Sequence, residues 1–198
     1  MYRPETGTRE KGTATMGRHV RDRMFAVITL ALAVVLLPVA FVTRPGRARE
    51  RACQWALRFR FPKENLGGLD AGAGAAFVAA RTDALWRHGQ LIGLTSGYRD
   101  PRKQQQVFDD EVRRTGSEAQ ARLLVLPPEE SSHVQGVALD VRPREGALWL
   151  EKHGVRYRLY RTYANEWWHF EYLPEHESAP EMWANPSVKA AQNARPEH

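Results

Sequence analysis

The chain has 198 residues, 42% of them hydrophobic, and a formal net charge of +6; this is enough for one domain with a real core plus a short extra segment, and too apolar for a disordered chain. Residues 1–51 hold ten Lys/Arg against four Asp/Glu, and the remainder holds nineteen of each sign, so the positive charge flanks one apolar run and a nucleic-acid-binding surface is excluded. The single cysteine, Cys53, excludes an internal disulfide framework and a cysteine-built metal site.

Residues 1–23 form a basic N-terminal segment, and residues 24–43 that follow carry no charge. Twenty residues at about 1.5 Å each span roughly 30 Å, the thickness of a bilayer core. Pro38 lies within the run, which a membrane helix tolerates. The segment reads as a transmembrane signal anchor or a signal peptide. Six Lys/Arg stand in residues 1–23 and six in 44–60, so charge does not set the orientation. The default for one N-terminal apolar segment is an extracytoplasmic remainder, held at the membrane or secreted if the leader is cleaved. Residues 44–53 are arginine-rich and read as a linker. The charged Glu50-Arg51-Ala52 argues against lipid attachment at Cys53.

Residues 54–174 read as the folded domain. Leu69, Ala73, Ala76, Phe77, Ala80 and Ala84 recur at helical spacing, and Gly89 ends that helix. Leu91 to Thr95 is a short apolar strand. Asp100-Pro101 supplies an N-cap and a first-turn proline for a helix to about Arg114, closed by Gly116. Residues 117–126 hold a further helical turn, stopped by Pro127-Pro128. Val137 to Val141 predicts a strand, Gly146 to His153 a short helix, and Trp168 to Leu173 a last strand. Residues 175–198 are polar and proline-dotted and read as a flexible tail. Strands and helices without a regular βαβ repeat predict an α+β fold.

Two segments concentrate the chemistry: Ser131 to Asp140 and Glu166 to Tyr172. Two imidazoles and one carboxylate make a common three-ligand zinc set that leaves a position open for water. A nearby carboxylate then takes the proton of that water. On this reading His133, Asp140 and His169 are the ligands and Glu166 is the base. Taken singly, each has an ordinary alternative: His169 beside Trp168 as a packed side chain, Asp140 as a turn cap. Spacing also sets a condition. His133 and Asp140 are an odd number apart, so an unbroken strand points them to opposite faces; Gly136 is where a bulge or turn can reverse the parity. Glu166 and His169 need a similar irregularity. No His-Glu-x-x-His and no Gly-x-Ser-x-Gly occurs.

The pattern Ser-x-His-x-x-Gly-x-Ala-x-Asp over Ser131 to Asp140, followed by Glu166-Trp167-Trp168-His169, resembles the zinc D-Ala-D-Ala metallopeptidases, whose fold is shared with the Hedgehog signalling domain. A third element of that family, Ser96-Gly97-Tyr98-Arg99 with Gln104 and Val107-Phe108, stands upstream in the expected order. The resemblance covers about residues 68–173. It implies an α+β domain with a small antiparallel sheet and flanking helices, Zn2+ on His133, Asp140 and His169, and Glu166 as general base. It implies Arg99 as the group that holds a substrate carboxylate or a developing oxyanion, with Tyr98, Gln104, Ser131 and Trp168 around the substrate. His88, His153 and His176 match no family position and read as surface or packing residues.

The activity so implied is hydrolysis of D-amino-acid-containing peptidoglycan stem peptides by a D-alanyl-D-alanine carboxypeptidase, working as a monomer. The family's carboxypeptidases often show Glu-Pro-Trp-His, whereas Glu-Trp-Trp-His is similar to the dipeptidases. A D-Ala-D-Ala dipeptidase, an L-Ala-D-Glu-type endopeptidase and a non-catalytic wall-binding module therefore stand as the alternatives.

Overall fold

The computed structural model describes residues 9–193, so the outer ends of the basic segment and of the expected tail lie outside the described residues. The elements in chain order are α1 (Arg9–Thr43), α2 (Ala48–Arg60), α3 (Ala71–His88), β1 (Gly93–Ser96), α4 (Pro101–Thr115), α5 (Glu118–Ala121), β2 (Ala138–Arg142), α6 (Arg144–His153), β3 (Leu159–Arg161), β4 (His169–Tyr172) and α7 (Pro186–Asn193). The expected helix starts and stops have identifiable causes. Asp70 caps α3 by accepting from the amides of Gly72 and Ala73, and Gly89 closes it in the left-handed conformation. Asp100, Pro101 and Gly116 do the same for α4.

The four strands form one antiparallel sheet in the order β1-β2-β4-β3. Strand alternation gives this sheet two chemically different faces. Leu94, Leu139, Val141, Leu159 and Phe170 point to one face and join Phe77, Ala80 and Ala84 of α3 and Ala147 and Leu150 of α6 in the main core. Ser96, Asp140, His169 and Glu171 alternate with them on the other face. The domain is thus α+β, a small antiparallel sheet with flanking helices, as the sequence predicts.

Three stretches differ from expectation at the level of local structure. Residues 44–53, read as a linker, contain a 3-10 turn at Pro45–Arg47 and the first half of α2. Arg44 and Arg47 before α2 and Arg49 on it are exposed and Arg51 is half-buried, while Ala52, Cys53, Ala56 and Leu57 are buried. The short β3 has three residues, too few for a period to register. In the tail, Trp183 exchanges backbone hydrogen bonds with Thr162 and Ala164 (2.9 and 2.8 Å), and α7 follows.

Helix α1 contains one segment, Val20–Thr43, long and apolar enough to cross a membrane, with a mean hydropathy of 2.8. Ala26, Ala33 and Ala40, seven residues apart, are buried, the first two in a cluster with Cys53, Ala56 and Leu57 and the third with Ala48 and Ala52. Small residues on both helices permit that close approach. Val20, Val27, Ile28, Val35, Val39 and Val42 remain exposed.

A buried ion pair ties α2 and α3 to the sheet. Arg81 donates to Glu64 Oε2 at 2.6 Å, their side chains being 1% and 4% exposed, and its Nε donates to Gln54 Oε1 at 2.8 Å. Glu64 Oε1 accepts from the amide of Leu94 in β1. Removing one member of such a pair strands a charge in the interior, which costs about 3–5 kcal/mol. Glu64→Ala is therefore expected to lower the stability of the chain by about that amount in urea unfolding followed by tryptophan fluorescence; a loss below about 1 kcal/mol, the value of a surface pair, contradicts the assignment.

Candidate metal centre

The polar face of the sheet brings its chemistry together through strand register. Asp140 pairs directly with His169 across β2 and β4, and Ser96 pairs with Asp140 across β1 and β2 after a bulge. Residues directly opposite in an antiparallel sheet share a face, so side chains 29 residues apart in sequence meet: His169 Nδ1 lies 3.0 Å from Asp140 Oδ1.

His133 arrives from a loop. Residues 131–137 form a compact turn in which Ser131 accepts from Val134, His133 from Gly136, and Ser132 from Val137. Gly136 sits at φ +78, so the parity reversal that the spacing demands is made here by a turn. A Cβ at this position falls 2.9 Å from both the Asp70 amide nitrogen and the Gly68 carbonyl oxygen. The Arg99 amide donates to the His133 carbonyl (3.1 Å), and His133 Nδ1 lies 2.7 Å from the Gly97 carbonyl. A carbonyl only accepts, so the ring hydrogen is on Nδ1 and Nε2 is left with a lone pair. That Nε2 is 3.3 Å from Asp140 Oδ2.

One ligand atom from each of His133, Asp140 and His169 lies within 4.8 Å of the others. Two nitrogens and a carboxylate oxygen this close, with Nδ1 of His133 already committed to a carbonyl, fit a four-coordinate divalent cation with one open position. Glu166 stands in the turn before β4, its Oε2 3.8 Å from His169 Nδ1. The four residues singled out in the sequence thus converge.

The electrostatics separate the carboxylates. Burial opposes the charge on Asp140, but the close approach of the His133 and His169 rings outweighs it and holds the carboxyl well below the usual carboxylate range. Burial pushes Glu166 up to about 7; His169 counters this, while Asp140 and Glu171 reinforce it. For His169 burial favours the neutral ring, yet hydrogen bonds to Asp140 and Glu171 outweigh it and raise its pKa to about 9. Without a cation His169 thus meets acceptors at both nitrogens and keeps a second proton, which a bound cation replaces.

These groups line a cavity of about 330 Å³ that also exposes Arg99, Gln104, Ser131 and Trp168. Arg99 donates to Gln104 Oε1 (2.7 Å) and Ser96 Oγ (2.9 Å). Gln104 in turn donates to the Leu126 carbonyl (2.6 Å), so it braces Arg99 as well as lining the cavity. Tyr98 is the exception among the expected residues. It does not line the cavity; it is 40% exposed and its ring packs over Gly68. Trp167 turns away from the cavity to pack against the core. His88 meets Trp149 edge-on and His153 packs tilted against the same ring, and neither lines the cavity.

Sequence reasoning missed Tyr163 and Glu171. The Tyr163 ring stacks on His169 at 4.8 Å. Glu171 Oε1 lies 3.3 Å from His169 Nε2, and the signal was available, since His169 and Glu171 are two apart on one strand and must share a face. Tyr163 has no such signal, being in a loop.

An antiparallel sheet that gathers a His-Asp-His cluster beside a buried carboxylate defines a candidate mononuclear metal centre. The family pattern of VanY, D-alanyl-D-alanine carboxypeptidase, matches residues 70–175, just over half of the chain, and the chain belongs to that family. It is 28% identical over 122 residues to a D-alanyl-D-alanine carboxypeptidase of Enterococcus faecalis (strain ATCC 700802 / V583), covering 49% of this chain and 44% of the relative. It is 36% identical over 70 residues to YodJ of Bacillus subtilis (strain 168), covering 35% of this chain and 25% of that one. The chain therefore spans less than half the length of the curated relatives it matches. Among solved structures, it is similar to a zinc-bound variant of the vancomycin-resistance D,D-pentapeptidase VanY from a VanB-type cassette, with 25% identity, a TM-score of 0.49, and coverage of 56% of this chain and 76% of the other. For VanYB in complex with D-alanine-D-alanine the values are 25%, 0.48, 52% and 71%.

Gly136→Ala is expected to strain the turn that aims His133, at a cost of about 1–3 kcal/mol, and to weaken zinc binding at least about tenfold, the usual effect of disturbing a ligand's support. Zinc competition with a chelator alongside thermal melting checks both; unchanged affinity contradicts the role of this turn.

Proposed function

We propose that this chain is a zinc-dependent D-alanyl-D-alanine carboxypeptidase acting on peptidoglycan stem peptides, with α1 as a membrane anchor and the domain on the extracytoplasmic side. The observation that carries the reading is the convergence of His133, Asp140 and His169 beside Glu166, in a cavity that also holds Arg99. Family membership supports the reaction class.

Zinc, when bound by His133, Asp140 and His169, supplies Lewis acidity that acidifies water and polarises a carbonyl. The protein's own groups do the remainder. Glu166, poised near neutrality by burial, takes a proton from the attacking water and delivers it to the leaving amine. Arg99 stays charged despite its burial and the resulting lowering of its pKa. Its guanidinium, held by Gln104 and Ser96, meets the terminal carboxylate of the peptide or the negative charge that develops at the carbonyl. Ser131 and Trp168 line the cavity around the peptide. Helix α1, with its exposed valines and isoleucine, suits a lipid environment better than water.

The full chain loaded with zinc and given a wall pentapeptide is expected to release D-alanine, read by mass spectrometry. Glu166→Ala should lower kcat/KM by about 10²–10⁴-fold; undiminished release removes Glu166 as the base and the mechanism with it. Release of a dipeptide in place of single D-alanine points to the dipeptidase instead. Because the base works ionised, kcat/KM should fall as pH drops below about 7. The positive charge of the cation pulls that limb lower, never higher.

A further inference from the structure

The C-terminal segment beyond the family's matched span contains α7, and α7 points one cation toward the candidate metal centre. Lys189 Nζ donates to Glu171 Oε2. Glu171, 1% exposed, accepts through Oε1 at 3.3 Å from His169 Nε2, and its Oε1 also lies 3.4 Å from the Tyr163 hydroxyl. Lys189 further stands 5.8 Å over the Tyr163 ring that stacks on His169. The segment is seated for this task. Trp183 is hydrogen-bonded to Thr162 and Ala164 at the end of β3, and Pro186 and Ala190 of α7 are buried, Pro186 against the cavity.

We infer that Lys189 and Glu171 form a relay that positions His169 for the metal, so that the C-terminal helix is a working part of the centre. The inference rests on the zinc reading above and deepens it. The physical reason is tautomer control. A histidine that binds a metal through Nδ1 must carry its hydrogen on Nε2, and a fixed acceptor there holds it so. Glu171 is that acceptor. Buried and facing a neutral, metal-bound ring, it needs a counter-charge of its own. Lys189 supplies it and keeps both carboxylate oxygens as acceptors, one for the ammonium and one for the ring. His133 needs no such device, because a backbone carbonyl, which cannot donate, fixes its tautomer.

The test uses the full chain with zinc alone as the probe. Lys189→Met is expected to weaken zinc binding about tenfold or more in chelator competition, within the range found for partners of metal-bound histidines. The 15N shifts of His169 should show loss of a pure Nε2–H form in the zinc-loaded protein. Lys189→Arg, which keeps the charge, should restore both to near wild-type values. Should the Met variant fail to fold, Lys189→Gln, of similar length and without charge, reads the same two quantities. Wild-type affinity and shifts in the Met or Gln variant overturn the relay, as does failure of the Arg variant to restore them. Neither result depends on hydrolysis, so a protein that binds zinc through this relay but releases no D-alanine refutes the proposed activity alone.

Discussion

The whole site depends on one register. In the β2–β4 pair, Leu139 faces Phe170 and Asp140 faces His169. The first pair joins the core under α3 and α6; the second places a carboxylate and an imidazole 3.0 Å apart on the open face. A slip of one residue turns Asp140 into the apolar core and Leu139 into the cavity. Burial of Leu139, Val141 and Phe170 therefore does two jobs with one free-energy source. It holds the sheet together and, through strand alternation, it fixes the geometry of the polar cluster.

Around this register the protein adds rigid supports from distant parts of the chain. Gly97 and Arg99, just past β1, are bonded to His133 in the turn before β2. Arg99 is held by Gln104 of α4 and Ser96 of β1. The buried Arg81–Glu64 pair reaches the Leu94 amide in the same strand. Arg99, His133 and His169 are thus each oriented by a further group, the kind of support that holds ligands in place for a cation.

The same environment gives two carboxylates opposite characters. Asp140 sits between two imidazoles and stays ionised. Glu166, buried and near the negative charge of Asp140 and Glu171, holds its proton up to about 7. Neighbouring acids whose surroundings push them apart can take different roles. On the proposed reading, Asp140 serves as a ligand and Glu166 as a proton carrier.

The sequence alone indicated the α+β class, the caps of α3 and α4 and the apolar N-terminal helix, and the family resemblance carried by its motifs singled out His133, Asp140, Glu166 and His169, which the fold brings together. The elements follow from local signals, periodicity and capping residues; the four residues follow from two dense motifs read through their resemblance to a known family. Even the need for a turn at Gly136 was legible, because strand parity is a local rule. What lay beyond reach was every contact set by packing between distant segments. The arginines of residues 44–53 suggested a linker because the apolar face they flank acquires meaning only against α1 and α3. Tyr98 belonged to a recognisable motif, yet its ring went to Gly68. Lys189 gave no sign of its place, since an eight-residue helix in a polar tail has no function until Glu171 stands opposite it. Local chemistry is written in the order of residues; which distant groups share a buried volume is decided only when the chain closes on itself.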